Sequence, residues 1–201
     1  MINNFKTAFE YVNSRYIYND KNYPAMANMT TEQEKTIFAL KHGLLHIFKH
    51  RDKLQCGDAW KDLKRNTRHY NLLALPDKQL PFSYIAYKKT LLKTVINILS
   101  ICNTAGISQH NLSNMKIPSD KQMRKMVSAS KNKIPTLGQC LNRFVEEMAI
   151  VLEKADHTNK INLDKVVDLA VDLYICVAYG LRDDTWVPKF LAQIPNVMKS
   201  K

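Results

Sequence analysis

The sequence predicts an all-α protein built as a helical bundle, and three observations carry that reading. Apolar residues recur with the spacing of a helix face in nearly every long segment. Only five glycines and seven prolines punctuate 201 residues, which leaves room for long helices and few tight hairpins. No Asn-Gly or Asp-Gly turn joins two alternating runs, so strand signals are weak.

The elements follow in order. Phe5, Phe9, Val12 and Tyr16 share one face of a first helix. Residues 20–28 contain Pro24 and asparagine and read as a loop. Thr30 or Thr31, with Gln33 or Glu34 three places on, opens a capping box. The helix behind it runs through Ile37, Leu40, Leu44, Ile47 and Phe48 to about Leu54. A short amphipathic helix spans Asp58 to Tyr70, and Pro76 and Pro81 bracket a loop. Tyr84 to Ala105 is a long apolar helix that stops at Gly106, a good residue for the left-handed position after a helix. Ser108 to Lys133 is polar and basic, with Ser119 placed to cap a short helix through Val127. Pro135 and Thr136 open the next long helix, through Leu141, Phe144, Met148 and Leu152. A polar turn from Asp156 to Asn162 leads to an apolar helix, Val166 to Tyr179, ending at Gly180. Asp183 and Asp184 start a final short helix before a basic tail.

Composition narrows the function classes. Apolar residues make up 45%, enough for a core. No run of ~20 apolar residues is present, so no membrane span is expected. Met1 to Tyr16 is interrupted by Asn3, Asn4, Lys6 and Glu10, unlike a signal peptide, and the chain reads as cytoplasmic. The abundance of Lys, Asn and Ile fits an A+T-rich genome, bacterial or phage. Cys56, Cys102, Cys140 and Cys176 form no Cys-x-x-Cys pair and read as buried, reduced thiols.

Charge divides the chain. Residues 1–133 hold 22 basic against 9 acidic side chains, a net of +13, and form a basic helical half. Residues 134–201 hold 8 against 9, a net of −1. A basic half attracts phosphate, in nucleotide or nucleic acid. An acidic half suits a divalent cation. Within the basic half, Lys121, Arg124, Lys125 and Lys131 form a candidate phosphate-binding arm, with a solvated linker as the alternative. His42, His46 and His50 lie at i, i+4, i+8; without a companion carboxylate or Cys they read as a polar or phosphate-facing stripe rather than a metal site.

The carboxylates gather in the last third. Glu146 and Glu147 are adjacent on one helix, and Asp164, Asp168 and Asp172 share a face of the next. Helices joined by a short turn pack antiparallel, so these groups have a route to convergence. Converging like charges repel unless a cation such as Mg²⁺ neutralises them. A solvated acidic face is the alternative. The stretches Ser100–Ile107 and Tyr174–Leu181 both end a long helix with Ile-Cys and a Gly four residues later, and His42–Asp52 aligns without gaps on Glu146–Asp156. An internal duplication is one reading, giving two degenerate tandem helical repeats; chance similarity of amphipathic helices is the other.

Two segments resemble a known family. Arg143-Phe-Val-Glu-Glu-Met-Ala-Ile-Val-Leu-Glu-Lys-Ala155 is similar to the first signature helix of the MazG-like all-α nucleoside triphosphate pyrophosphohydrolases. Asp164-Lys-Val-Val-Asp-Leu-Ala-Val-Asp-Leu-Tyr-Ile-Cys-Val-Ala-Tyr-Gly-Leu181 is similar to the second. The resemblance implies a dimer or tetramer that uses Mg²⁺ to split a nucleoside triphosphate into monophosphate and pyrophosphate. It implies Glu147 and Asp168 as catalytic metal ligands; beside them the sequence offers Glu146, Asp164 and Asp172 as further metal-binding carboxylates, and Arg143, with Lys125 or Lys131, as a residue for the phosphates. Two positions depart from the family pattern: Ile150 and Lys165 stand where carboxylates are expected. In the aligned first half, Gly43, His46 and Thr94 replace the corresponding ligands. The alternative function is a catalytically inactive helical protein that binds nucleic acid or an acidic protein through its basic half.

Overall fold

The computed structural model describes Ile2 and residues 4–107, 137–180 and 186–199. All regular structure among them is helical. The helices are α1 (Phe5–Asn13), α2 (Glu32–Lys53), α3 (Gly57–Arg65), α4 (Phe82–Thr104), α5 (Leu137–Thr158), α6 (Leu163–Gly180), α7 (Val187–Leu191) and α8 (Ile194–Met198). Short 3₁₀ segments cover Pro24–Asn28, Thr67–Ala74 and Asp77–Gln79. The candidate arm at Lys121, Arg124, Lys125 and Lys131, and the start of the last helix at Asp183, lie outside the described residues.

Local chemistry sets the long helices. At the start of α2, Thr31 Oγ1 accepts from Glu34 N–H at 3.1 Å, and the Glu34 carboxylate accepts from Thr31 N–H at 2.9 Å. This capping box satisfies two N–H groups that a helix leaves unpaired. At the end of α4, Gly106 takes φ 83°, Ile107 N–H donates to Cys102 C=O, and Gly106 N–H donates to Asn103 C=O. The chain closes the last turn on itself at the one residue type without a Cβ penalty. Between α5 and α6, Asn159 is left-handed at φ 50°, and Asn162 Oδ1 accepts from Lys165 N–H at 3.0 Å.

The expected Asp58–Tyr70 helix is shorter. It stops at Arg65, because Asn66 leaves the helical region and its side chain accepts from Arg68 N–H, opening a 3₁₀ segment instead. Asparagine competes with the helix through such local bonds. The first helix likewise ends at Asn13, so Tyr16 lies beyond it.

Four long helices make the bundle. α2 lies along α4, α5 along α6, α2 against α5, and α4 against α6. The bonds Lys41–Asp156 and Gln55–Asn142 set α2 antiparallel to α5. Their shared core includes Leu40, Ile47, Leu99, Ile101, Leu141 and Met148, all within 2% of full burial. One hydrophobic cluster draws on residues from both sides of position 133. Lys88 is buried inside this frame, its ammonium 2.5 Å from Asp77 and 2.9 Å from the Leu75 carbonyl. A buried charge persists only when so paired. Cys102 and Cys140 are buried, whereas Cys56 is exposed. None of the described helices is long and apolar enough to cross a membrane.

Candidate functional site

The acidic seam between α5 and α6 comes first. Glu147 is half-buried, with Arg143 Nε donating to its Oε1 at 2.9 Å and Lys165 Nζ 2.8 Å from its Oε2. The Lys165 and Arg143 hydrogen bonds hold the Glu147 carboxyl below the usual range. Arg143 also reaches Asp172, at 4.0 Å. Burial pushes the Asp172 carboxyl up; Arg143 opposes that shift, and the nearby Asp168 and Glu147 charges add to it. Glu146, Asp164 and Asp168 are exposed. Asp172 is therefore close enough to feel both Asp168 and Glu147. Among the described residues, however, no three carboxylates, histidines or cysteines gather as a metal-binding group. The chain supplies its own cations at the seam, through Arg143 and Lys165. A hollow of about 320 Å³ beside it sets Lys154, Lys160 and Lys165 against Glu147, so its wall is net basic.

The second place is in the basic half. α1, α2, α4 and α8 enclose an open cavity of about 490 Å³. The helical period of α2 turns His42, His46 and His50 toward it one above the other. The loop after α1 adds Tyr16 and Tyr23, α4 adds Lys93, and the end of the described chain adds Lys199.

No family model, curated protein or solved structure matches this chain.

The cavity must be read from its own chemistry. His42 sits among aromatic rings: its centroid is 5.0 Å from Tyr23, and its Nδ1 is 3.2 Å from the Tyr18 hydroxyl. Tyr18 and Tyr23 stack at 4.9 Å. His42 Nε2 and His46 Nε2 stand 3.3 Å apart. Burial, followed by the neighbouring charges of His46, Lys93, Lys53 and Lys49, pushes His50 down to about 4, so it is neutral near pH 7. Burial also raises the Tyr16 and Tyr23 phenols, which stay protonated. The Tyr16 hydroxyl donates to Asn97 Oδ1 at 3.4 Å.

Among the described wall residues, Arg15, Lys93 and Lys199 carry fixed positive charge and no carboxylate is present. Such a wall favours an anion and offers ring edges to a planar group. The two facing imidazoles fall short of the three or four ligands of a zinc site. The histidine spacing was visible in the sequence, but Tyr16, Tyr23, Lys93 and Lys199 carried no local signal that would join them to it.

Proposed function

We propose that this chain binds a phosphorylated ligand bearing a planar ring, of the nucleotide class, in the cavity between α1, α2, α4 and α8. The observation that carries the reading is the described wall itself, with three fixed cations, three imidazoles, three tyrosines and no carboxylate. Phosphate lies toward Arg15, Lys93 and Lys199, and the ring lies against Tyr16, Tyr23 and His42. Nothing in this arrangement requires Mg²⁺ for binding. A thermal-shift and calorimetry panel of nucleoside monophosphates, with and without Mg²⁺, tests it. A ligand at a hundredfold excess over its Kd stabilises the folded state by ~2.7 kcal/mol. Lys93→Ala and Arg15→Ala should each weaken binding about tenfold. A panel without a single stabilising nucleotide sinks the reading.

Mg²⁺-dependent pyrophosphohydrolysis is the second reading. It is supported by the resemblance of residues 143–155 and 164–181 to the MazG-like signature helices, and by the proximity of Glu147 and Asp168 to Asp172. A metal would lower the pKa of a bound water there, and Glu147 and Asp168 would hold it. Lys165 must first leave Glu147. If this reading holds, Asp168→Asn abolishes pyrophosphate release and Mg²⁺-dependent stabilisation together. Denaturant melts with Mg²⁺ and with chelator that superimpose for the native chain would end it.

A further inference from the structure

A second open cavity, of about 580 Å³, adjoins the first. Lys93 and Val197 belong to the walls of both. The first cavity meets α4 at Lys93, Ile96 and Asn97, and the second meets it at Lys88, Lys89, Leu92 and Lys93. A rise of ~1.5 Å per residue puts Lys89 and Asn97 about 12 Å apart along the helix. The two cavities thus form one track along α4 with Lys93 at its midpoint.

The charge of the track is one-sided. The second cavity adds Lys88, Lys89 and Lys189. Its single carboxylate among the described residues, Asp77, is taken up by Lys88 at 2.5 Å and Lys89 at 3.5 Å. Lys93, Lys89 and Lys189 are exposed. Among the described residues, no ion pair joins Lys93, Lys189 or Lys199 to a carboxylate.

Each cavity combines cations with an apolar or aromatic wall. Tyr16, Tyr23 and Ile96 line the first, and Pro76, Leu92 and Val197 line the second. We infer that the track takes a single strand of nucleic acid, with adjoining nucleotides in the two cavities and the phosphate between them on Lys93. This inference rests on the nucleotide-class reading of the first cavity. The alternating pattern selects the ligand. A mononucleotide leaves the second cavity empty. A polyphosphate tail makes no use of the Pro76, Leu92 and Val197 wall. A duplex keeps its bases paired and away from both cavities, whereas a single strand offers a face of each base and a phosphate at every step. The 12 Å track exceeds one nucleotide step, ~3.4 Å in a stacked strand.

The experiment compares thymidine monophosphate, the thymidine dinucleotide and a hexameric oligothymidylate, with oligouridylate as the RNA arm. Binding to the full chain is read by calorimetry for the short ligands and by fluorescence anisotropy for the hexamers. The hexamer should bind at least tenfold tighter than the monophosphate. With Lys93, Lys89 and Lys189 each on a phosphate, log K should fall with log salt at a slope of about −2. The double variant Lys89→Ala/Lys189→Ala replaces two exposed side chains. It should remove that gain and flatten the slope, leaving monophosphate affinity within twofold. Tighter binding of either sugar supports the inference and names the strand. If the monophosphate binds and the hexamer binds no tighter, the inference falls and the nucleotide reading stands. A duplex of equal length, or poly-glutamate at equal charge, binding as tightly as the hexamer also overturns it. If neither monophosphate nor hexamer binds, both readings fall.

Discussion

α2 and α4 come close at Gly43, where an added Cβ would lie 2.8 Å from Ile101 Cγ1. At the aligned level of the other long pair, α5 and α6, stands Glu147, bridged by Lys165 and Arg143. Both pairs carry long helices with buried apolar faces, but one closes by van der Waals contact and the other by an internal ion network. At the level matching Asp168 the first pair carries Thr94, which is fully buried and donates its hydroxyl to the Thr90 carbonyl within its own helix. To one side of this contact the α2 histidines form a cavity wall facing Lys93, Ile96 and Asn97 of α4. The second pair spends its charges on itself. Where a seam is closed by packing, the remaining polar groups are available to a ligand; where it is closed by ions, a ligand must compete with them.

The sharpest test of the contrast is Gly43→Val. Overfilling this contact should cost about 2–3 kcal/mol, read by urea denaturation. A loss under ~0.5 kcal/mol would mean that the first pair is not closed by packing.

His50 is next. Its folded pKa is depressed to about 4 from an ordinary ~6.5. The unfolded chain therefore binds more protons between these values, and stability contributed by neutral His50 is complete above ~6.5 and lost as pH falls toward ~4. From pH 7 to pH 5 the native chain should lose on the order of 1–2 kcal/mol more than His50→Gln does. Parallel pH profiles for the two proteins would remove His50 from the buried wall.

Lys165→Glu should have a smaller effect and a more specific one. It removes one of the chain's own cations and adds a like charge beside Glu147. These side chains are partly exposed, so the loss should stay below about 1 kcal/mol in chelator. Mg²⁺ should then restore it, turning ionic closure into metal closure. Insensitivity to Mg²⁺ in this variant would show that the seam lacks the geometry for a metal even with its carboxylate returned.

Gly138→Ala should change least, within ~0.5 kcal/mol of zero. A Cβ there would meet Gln55 Cδ at 2.7 Å, but a flexible amide can swing aside, and alanine favours the helix. A loss above 1 kcal/mol would place a rigid contact between α2 and α5 where the comparison has none.

The long helices were legible because their signals are local. Thr31 with Glu34 marks the start of α2, and Gly106 marks the end of α4, through chemistry confined to a few neighbouring residues. The end of α3 was missed because Asn66 can satisfy the backbone in two ways, and periodicity does not say which wins. At the seam, spacing puts Asp164, Asp168 and Asp172 on one face of α6, but does not say where the ends of long side chains settle. Lys165 reaches Glu147 across two helices, a contact no single-helix pattern contains. The cavity was half legible. The histidine stripe follows from its period, while Tyr23 comes from a loop and Lys199 from the far end of the described chain.

Between α3 and α4 the chain is tied by short-range bonds. Tyr84 hydrogen-bonds Asp62, Tyr70 meets Tyr87, and Lys88 holds both Leu75 and Asp77, so no partner is more than 22 positions away. Lys41 and Asp156, by contrast, are 115 positions apart. Short loops cost little entropy to close, and local contacts form fast. Residues 57–104 are thus the natural folding nucleus, and pulse-labelled hydrogen exchange should find their amides protected before those of α5 and α6. During synthesis this unit follows α1 and α2 but precedes α5 and α6, so the apolar face that α4 turns to α6 stays bare until the rest of the chain arrives to cover it.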